Sequence, residues 1–266
     1  MGVAGAAIAT VFAQGVSCVF VLSVLWFSHL PVRLRFDQAD IRLIKPILKI
    51  GFTPFAIIAF DNVMIMTMNT VLKYYPSSID NDLLISANTI AQSFVLLVTM
   101  PLSGISSGTQ CLLSYNYGAY DIQRVKAAYK LICQWCIGFT MIMFAFVWIA
   151  GQGFVYLFTT DVTLVSTSND AIRIMTAMII PLGLQYELVD GMTALGQVKI
   201  SFLLSFFRKG VYFLALLGLP MVFGAQSAFI AEPISDIIAP IFSFIIVKRN
   251  LDGVLSWRLS MRDTTQ

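Results

Sequence analysis

The chain has 266 residues, of which 58% are hydrophobic and only 12% charged, with a net charge of +3 and a mean hydropathy of +0.82. An ordinary soluble domain carries about 25% charged residues, and surface-to-volume scaling leaves it no way to hide this much apolar surface. The composition therefore excludes a soluble enzyme, a disordered chain and a nucleic-acid binder, and points to an all-α integral membrane protein.

A bilayer core of about 30 Å takes about 20 apolar residues per helix. Seven such stretches are expected in chain order, over residues 3–28, 51–72, 83–113, 131–158, 171–195, 201–222 and 225–247. The first has no basic leader and is too long for a signal-peptide core. Pro54 falls in the first turn of the second stretch, where proline is tolerated. Pro101 falls inside the third and predicts a kink there. Gly104 and Gly108 form a G-x-x-x-G that predicts close helix packing. Cys133 and Cys136 form the chain's one C-x-x-C, with a single histidine, His29, to accompany them. Buried small hydrophobes is the better reading than a metal or redox site. No phosphate-binding loop, dinucleotide fingerprint or zinc-protease motif occurs, and Ser103, Ser106 and Ser107 have no histidine to activate them, so no enzyme activity is expected.

Basic residues cluster in alternate connections. Arg33, Arg35, Arg42, Lys45 and Lys49 lie between the first two stretches. Arg124, Lys126 and Lys130, then Lys199, Arg208 and Lys209, follow on the same side. Lys248, Arg249, Arg258 and Arg262 lie in the tail. Only Lys73 and Arg173 are left for the other side. By the positive-inside rule this predicts a multi-pass protein of the plasma (inner) membrane, with the N-terminus outside and the C-terminus cytoplasmic.

The ends of the chain resemble each other. Gly2-Val-Ala-Gly-Ala-Ala-Ile-Ala-Thr10 aligns with Gly224-Ala-Gln-Ser-Ala-Phe-Ile-Ala-Glu232 at a constant offset, and Gln14 then falls on Asp236 and Phe20 on Phe242. Transporters are often built from related halves. The repeat predicts that residues 1–28 are the last helix of one lobe, 29–50 a cytoplasmic inter-lobe loop, 51–248 a complete six-helix lobe and 249–266 a cytoplasmic tail. The rest of the N-terminal lobe would be a missing partner.

Ionisable residues inside spans are candidates for function. Asp61 lies near the middle of the second stretch, where no basic residue is spaced to pair with it. Its options are a cation, a proton or a group on another helix; the bland alternative is hydrogen bonding to Thr67 or Tyr186. Glu187 and Asp190 are spaced i, i+3 and share a helix face, so a cation or proton is expected between them. Glu232 and Asp236, at i, i+4, share another face, with Glu232 expected near the outer mouth. Pro233 and Pro240 there interrupt the backbone ladder and free carbonyls. Tyr186 and Met64 complete the candidate cavity, although Met64, Met66 and Met68 at every second residue more commonly pack in a core or against lipid.

Pro101-Leu-Ser-Gly-Ile-Ser-Ser-Gly-Thr-Gln110, followed by Leu113-Ser-Tyr-Asn-Tyr-Gly-Ala119 and Arg124-Val-Lys126, resembles a signature of the multidrug and toxin extrusion (MATE) family. Gly2–Thr10 looks like the start of that family's sixth helix, Gly51-Phe-Thr-Pro54 like the opening of its seventh, and Ala231-Glu-Pro-Ile-Ser-Asp236 like its twelfth. The resemblance implies an antiporter of two six-helix lobes that exports cationic or amphipathic drugs and toxins in exchange for Na⁺ or H⁺, with no other cofactor. This chain would supply helix six and the C-terminal lobe. In Na⁺-driven members an acid in the middle of the seventh helix contributes to a cation site, and Asp61 falls there. Their tenth helix carries a further acid and a tyrosine. Tyr186, Glu187 and Asp190 lie in the matching helix at a different local spacing, and the segment ends Ala194-Leu-Gly-Gln197 rather than in leucine-arginine-glycine. A lipid-linked oligosaccharide flippase of the same superfamily needs a cationic cavity, and the spans are read as holding almost no interior Arg or Lys. A seven-helix receptor or retinal protein fits the span count, but a retinal protein needs a lysine where the last stretch has Glu232 and Asp236.

Overall fold

The computed structural model describes residues 2–27 and 41–265. They form eight α-helices and one 3₁₀ turn: α1 (Gly2–Phe27), α2 (Ile41–Tyr74), α3 (Asn81–Gly118), α4 (Ile122–Val155), α5 (Val162–Met175), α6 (Ile179–Ala194), α7 (Val198–Phe223), the turn Ala225–Ile230, and α8 (Ala231–Thr265). Six helices are long and apolar enough to cross a membrane, and α5 with α6 makes a seventh span bent by 50°. The all-α membrane architecture expected from composition is the one observed.

Two compact units divide the chain between Phe52 and Thr53. The first holds α1, whose large apolar side chains Phe12, Phe20 and Trp26 are exposed, and the start of α2. The second holds the packed bundle.

Several boundaries differ from expectation. Residues 28–40, with His29, Arg33 and Arg35, lie outside the described residues, and 41–50 are helical rather than loop. Pro54 therefore falls well inside α2 instead of in its first turn. Helix α3 runs continuously through Pro101. The fifth stretch begins nine residues earlier than expected, because α5 is polar enough to read as a loop while carrying Val165, Ala171 and Ile172 into the core. The tail expected from 249 continues as helix to Thr265.

Acidic residues in the connections start helices. Asp80, Asp121 and Asp161 each accept hydrogen bonds from backbone N–H groups of the first turn that follows, which satisfies donors a helix leaves free and sets a negative charge against the positive end of the dipole. Gly224, at φ 80°, lets Ala225 N–H donate to Pro76 O at 3.0 Å. A Cβ there would meet that same carbonyl oxygen at 2.7 Å, so the turn before α8 requires glycine.

Helix α6 is the centre of the bundle and packs against α3, α4, α7 and α8. The close approach is made by Gly183 and Gly191: a Cβ on Gly183 would lie 2.9 Å from Cys136 O and 2.7 Å from Thr140 Oγ1, and one on Gly191 would overlap the Tyr129 ring. The G-x-x-x-G of Gly104 and Gly108 does not serve this purpose, since a Cβ at either position meets nothing within 4 Å. Two apolar clusters form the core. One joins Met68, Leu72, Phe94, Val98, Ile172 and Leu216; the other joins Leu102, Leu113, Val125, Cys136, Leu188 and Leu204. Met64 packs at the edge of the first, while Met66 is exposed.

Because the atom opposing Gly183 is backbone, Gly183→Ala is expected to destabilise the bundle by about 1–3 kcal/mol through overpacking. Gly138→Ala, whose Cβ has open space, should be neutral or gain up to about 1 kcal/mol of helix propensity. Thermal unfolding of the two variants in one detergent separates them.

Candidate functional site

A polar layer lies between the two apolar clusters. On α7 it falls at Arg208 and Lys209, between Leu204 of one cluster and Tyr212 and Leu216 of the other. Arg208 is the eleventh residue of this twenty-six-residue helix, so both side chains start from near its middle. They are not loop residues, and they leave the count of basic loop charges. Counting Lys and Arg assigns every basic residue to a connection, which hid them. The signal was present, since both fall inside the apolar stretch 201–222 while three acids in other stretches lacked a partner. Arg173, assigned to the opposite loops, is likewise inside a span, in the last turn of α5, with its guanidinium 5.0 Å from the Trp148 ring.

Arg208 holds both acids of α8. Its Nε donates to Asp236 Oδ1 at 3.0 Å and its Nη2 to Glu232 Oε1 at 3.3 Å, and Nη2 lies 2.9 Å from Asp236 Oδ1. Asp236 is buried, and Ser235 Oγ–H donates to Glu232 O at 2.8 Å. Spacing of i, i+4 places Glu232 and Asp236 one above the other, which is why one guanidinium reaches both. Glu232 thus belongs to the interior layer rather than to an outer mouth. Pro233 lies in the first turn of α8, where it removes no hydrogen bond, so only Pro240 interrupts the ladder.

Lys209 holds Asp61. Its ammonium donates to the Asp61 carboxylate and to Ile57 O at 2.8 Å. The Lys209 side chain is 8% exposed and that of Asp61 50%. Of the three options read from sequence, a group on another helix is the one realised. Thr67 is not that group, because its hydroxyl donates to Val63 O one turn back. Tyr186 lies within electrostatic reach of Arg208, Asp236, Glu232 and Asp61. Aromatic rings wall the layer: Phe60 sits 5.7 Å from Phe206 and 6.1 Å from Phe213, and Phe207 stacks on Phe242 at 4.0 Å. Asp61, Arg208, Lys209, Glu232 and Asp236 together set three acids against two bases.

Glu187 and Asp190 form a separate site. Helical geometry turns each residue 100° from the last, so Tyr186 faces the ionic layer while Glu187 faces α3 and α4. Ser106 Oγ–H donates to Asp190 Oδ2 at 2.7 Å and lies 3.4 Å from Glu187 Oε2; with one hydrogen it serves Asp190. Gln110 lies near Asp190 on the same side. Glu187 is fully buried, and its Oε1 has no hydrogen-bond partner. Tyr129 donates instead to the backbone carbonyls of Glu187 and Leu188, at 3.5 and 3.4 Å. Among the described residues no base pairs with either acid. The four cysteines are free.

A bundle of membrane-length helices with paired charges at mid-helix is the kind of architecture a membrane transporter uses. The MatE family model matches residues 57–214, more than half of the chain, and the chain belongs to that family. It is 21% identical over 251 residues to the multidrug export protein MepA of Staphylococcus haemolyticus, covering 93% of this chain and 54% of MepA. It therefore spans about half the length of that relative. Among solved structures, a MATE protein in complex with MaL6 superposes with a TM-score of 0.81 at 18% identity, over 95% of this chain and 57% of the other. An outward-facing multidrug resistance MATE transporter of the MOP superfamily gives 0.79 at 17% identity, over 96% and 57%. A MOP superfamily transporter from Pyrococcus furiosus, described as having a binding pocket of reverse polarity, gives 0.81 at 17% identity with the same coverage. These likenesses fix the fold. The expectation of almost no interior Arg or Lys is corrected by Arg208 and Lys209, whose charges are taken up by acids.

Breaking one side of a buried ion pair leaves an uncompensated charge at a cost of about 3–5 kcal/mol. Arg208→Met is expected to destabilise the bundle by that amount. Restoring neutrality with Glu232→Gln and Asp236→Asn in the same chain should recover most of the loss, as read by thermal unfolding.

Proposed function

We propose that this chain is the C-terminal portion of a multidrug efflux antiporter that exports cationic or amphipathic compounds in exchange for Na⁺ or H⁺. The observation that carries the reading is the ionic layer, in which three acids face two bases inside a membrane-spanning bundle. With all five ionised the layer has one uncompensated negative charge. A monovalent cation that enters it restores balance, and a proton does the same by neutralising one carboxylate. Membrane burial makes that balance worth far more than at a surface. The aromatic wall from Phe60, Phe206 and Phe213 suits an organic cation, since ring faces attract positive charge.

In this reading the coupling ion and the drug compete for the same excess charge, so each weakens the other reciprocally. Asp61 is the acid open to exchange, because half its side-chain surface is uncovered while Asp236 is held by Arg208. Tyr186 and Met64 border the drug path, and Glu187 with Asp190 offers a second place for a proton or cation. Residues 51–248 form one six-helix lobe once α5 and α6 are taken as a single span. Residues 1–28 belong to the preceding lobe, and the remainder of that lobe is the partner against which this one rocks. The basic residues left in the connections support a cytoplasmic C-terminus and an N-terminus outside.

Binding of ethidium to the purified chain, followed by fluorescence polarisation, tests the competition. Affinity is expected to fall at least about tenfold as Na⁺ or proton concentration rises, a coupling of about 1.4 kcal/mol, and Asp61→Asn should flatten that dependence. Ethidium affinity unchanged across both titrations overturns the antiporter reading.

A further inference from the structure

The Lys209–Asp61 pair differs in kind from the Arg208 pairs beside it. Arg208 reaches its acids with a planar fork suited to holding a carboxylate in a fixed geometry. Lys209 brings a compact ammonium on a flexible stem, with three donors. Two of the places those donors reach are defined: the Asp61 carboxylate and Ile57 O, one turn earlier on α2. An acid and a helix carbonyl whose second lone pair already takes an ammonium donor, four residues apart on one face, make a receptor for a cation that carries N–H groups. The receptor is open on the Asp61 side and closed on the Lys209 side, at 50% and 8% side-chain exposure.

We propose that Asp61 and Ile57 O form a site for protonated amines, and that Lys209 is a tethered occupant which a substrate amine displaces. The proposal rests on the reading of Asp61 as an exchangeable acid and names the ligand class it takes. A primary ammonium reproduces both hydrogen bonds of Lys209. A quaternary ammonium has charge but no N–H and leaves the second lone pair of Ile57 O without a donor. Sodium finds three protein oxygens here, two from the carboxylate and one from the carbonyl, fewer than the roughly six or more a hard cation gathers in a built site. Lys209 thereby sets specificity: the resident ammonium keeps the carboxylate balanced when no substrate is present and disfavours cations that cannot match its hydrogen bonds, so that of the two coupling ions the proton is the one Asp61 exchanges.

Chemical rescue tests this. Lys209→Ala removes three carbons and the ammonium, the composition of n-propylammonium. The melting temperature of Lys209→Ala in detergent is expected to rise by about 5 °C with saturating propylammonium, while tetramethylammonium and Na⁺ at equal ionic strength leave it unmoved. Asp61→Asn combined with Lys209→Ala, in which both charges are gone, should fold and show no response to propylammonium. Equal stabilisation by tetramethylammonium or Na⁺, or the same response in the double variant, overturns the proposal. If Lys209→Ala is recovered folded only when propylammonium is present, the rescue is read as yield and supports it. If it is recovered in neither condition while the double variant folds, a free amine cannot replace the ammonium and the proposal falls. The rescue reads the occupant of Asp61 and not exchange, so ion-insensitive ethidium binding alongside intact rescue removes the antiporter reading and leaves the amine site standing.

Discussion

Arg208 sits near the middle of a helix long and apolar enough to cross a membrane, with most of its side chain buried. A charge there must bring its counter-charges with it, and that requirement decides which helices meet. Glu232 and Asp236 have to share one face of α8, and α8 has to present that face to α7. Asp61 on α2 must likewise come within reach of Lys209. Hydrophobic contact is non-directional, so the apolar residues of α7 discriminate less sharply among rotations about the helix axis than its ion pairs do. The ion pairs choose one of those rotations. The two apolar clusters then close on either side of the ionic layer.

Steric economy at α6 is the second constraint. A helix in contact with four others must let their backbones approach, and Gly183 and Gly191 supply the space toward α4. Without a hydrophobic driving force between helices in lipid, such close contact supplies much of the association energy. The break between Met175 and Ile179 frees α6 from the direction of α5. Its residues can then line up with the α3 and α4 acid site and with the ionic layer at once.

Much of this was legible in the sequence. Span number, the all-α class and the candidate acids follow from composition and from the rule that charge inside a span needs a reason. The partners did not follow. Arg208 and Lys209 were assigned to a loop because a topology count treats basic residues as markers of connections, and only the unpaired state of Asp61, Glu232 and Asp236 argued otherwise. Gly104 and Gly108 matched a packing motif in pattern, but which glycines touch a neighbour depends on helix rotation, and rotation was fixed by ion pairs that the sequence does not align. The start of the fifth span was missed for a related reason. Ser166, Thr167, Ser168, Asn169, Asp170 and Arg173 read as a polar connection, while the buried stripe of Val165, Ala171 and Ile172 appears only once α5 is placed against the bundle.

The separation of Glu187 and Asp190 from the ionic layer has a consequence for motion. Tyr186 and Glu187 are consecutive residues, yet one faces Arg208 and its acids while the other faces Ser106 and Tyr129. Any rotation or tilt of α6 therefore moves both at once. Turning α6 so that Tyr186 withdraws from the ionic layer also changes the distances from Ser106 to Glu187 and Asp190, which are held at 3.4 and 2.7 Å. A helix of sixteen residues with its own start after a bend moves as a rigid piece more readily than one continuous with its neighbour. Two polar sites on different sides of the bundle are thus joined by one short helix, so that a displacement of that helix at one is a displacement at the other. Coupling of this kind needs no chain of intermediate contacts: it needs one element with two polar faces, and α6 has both.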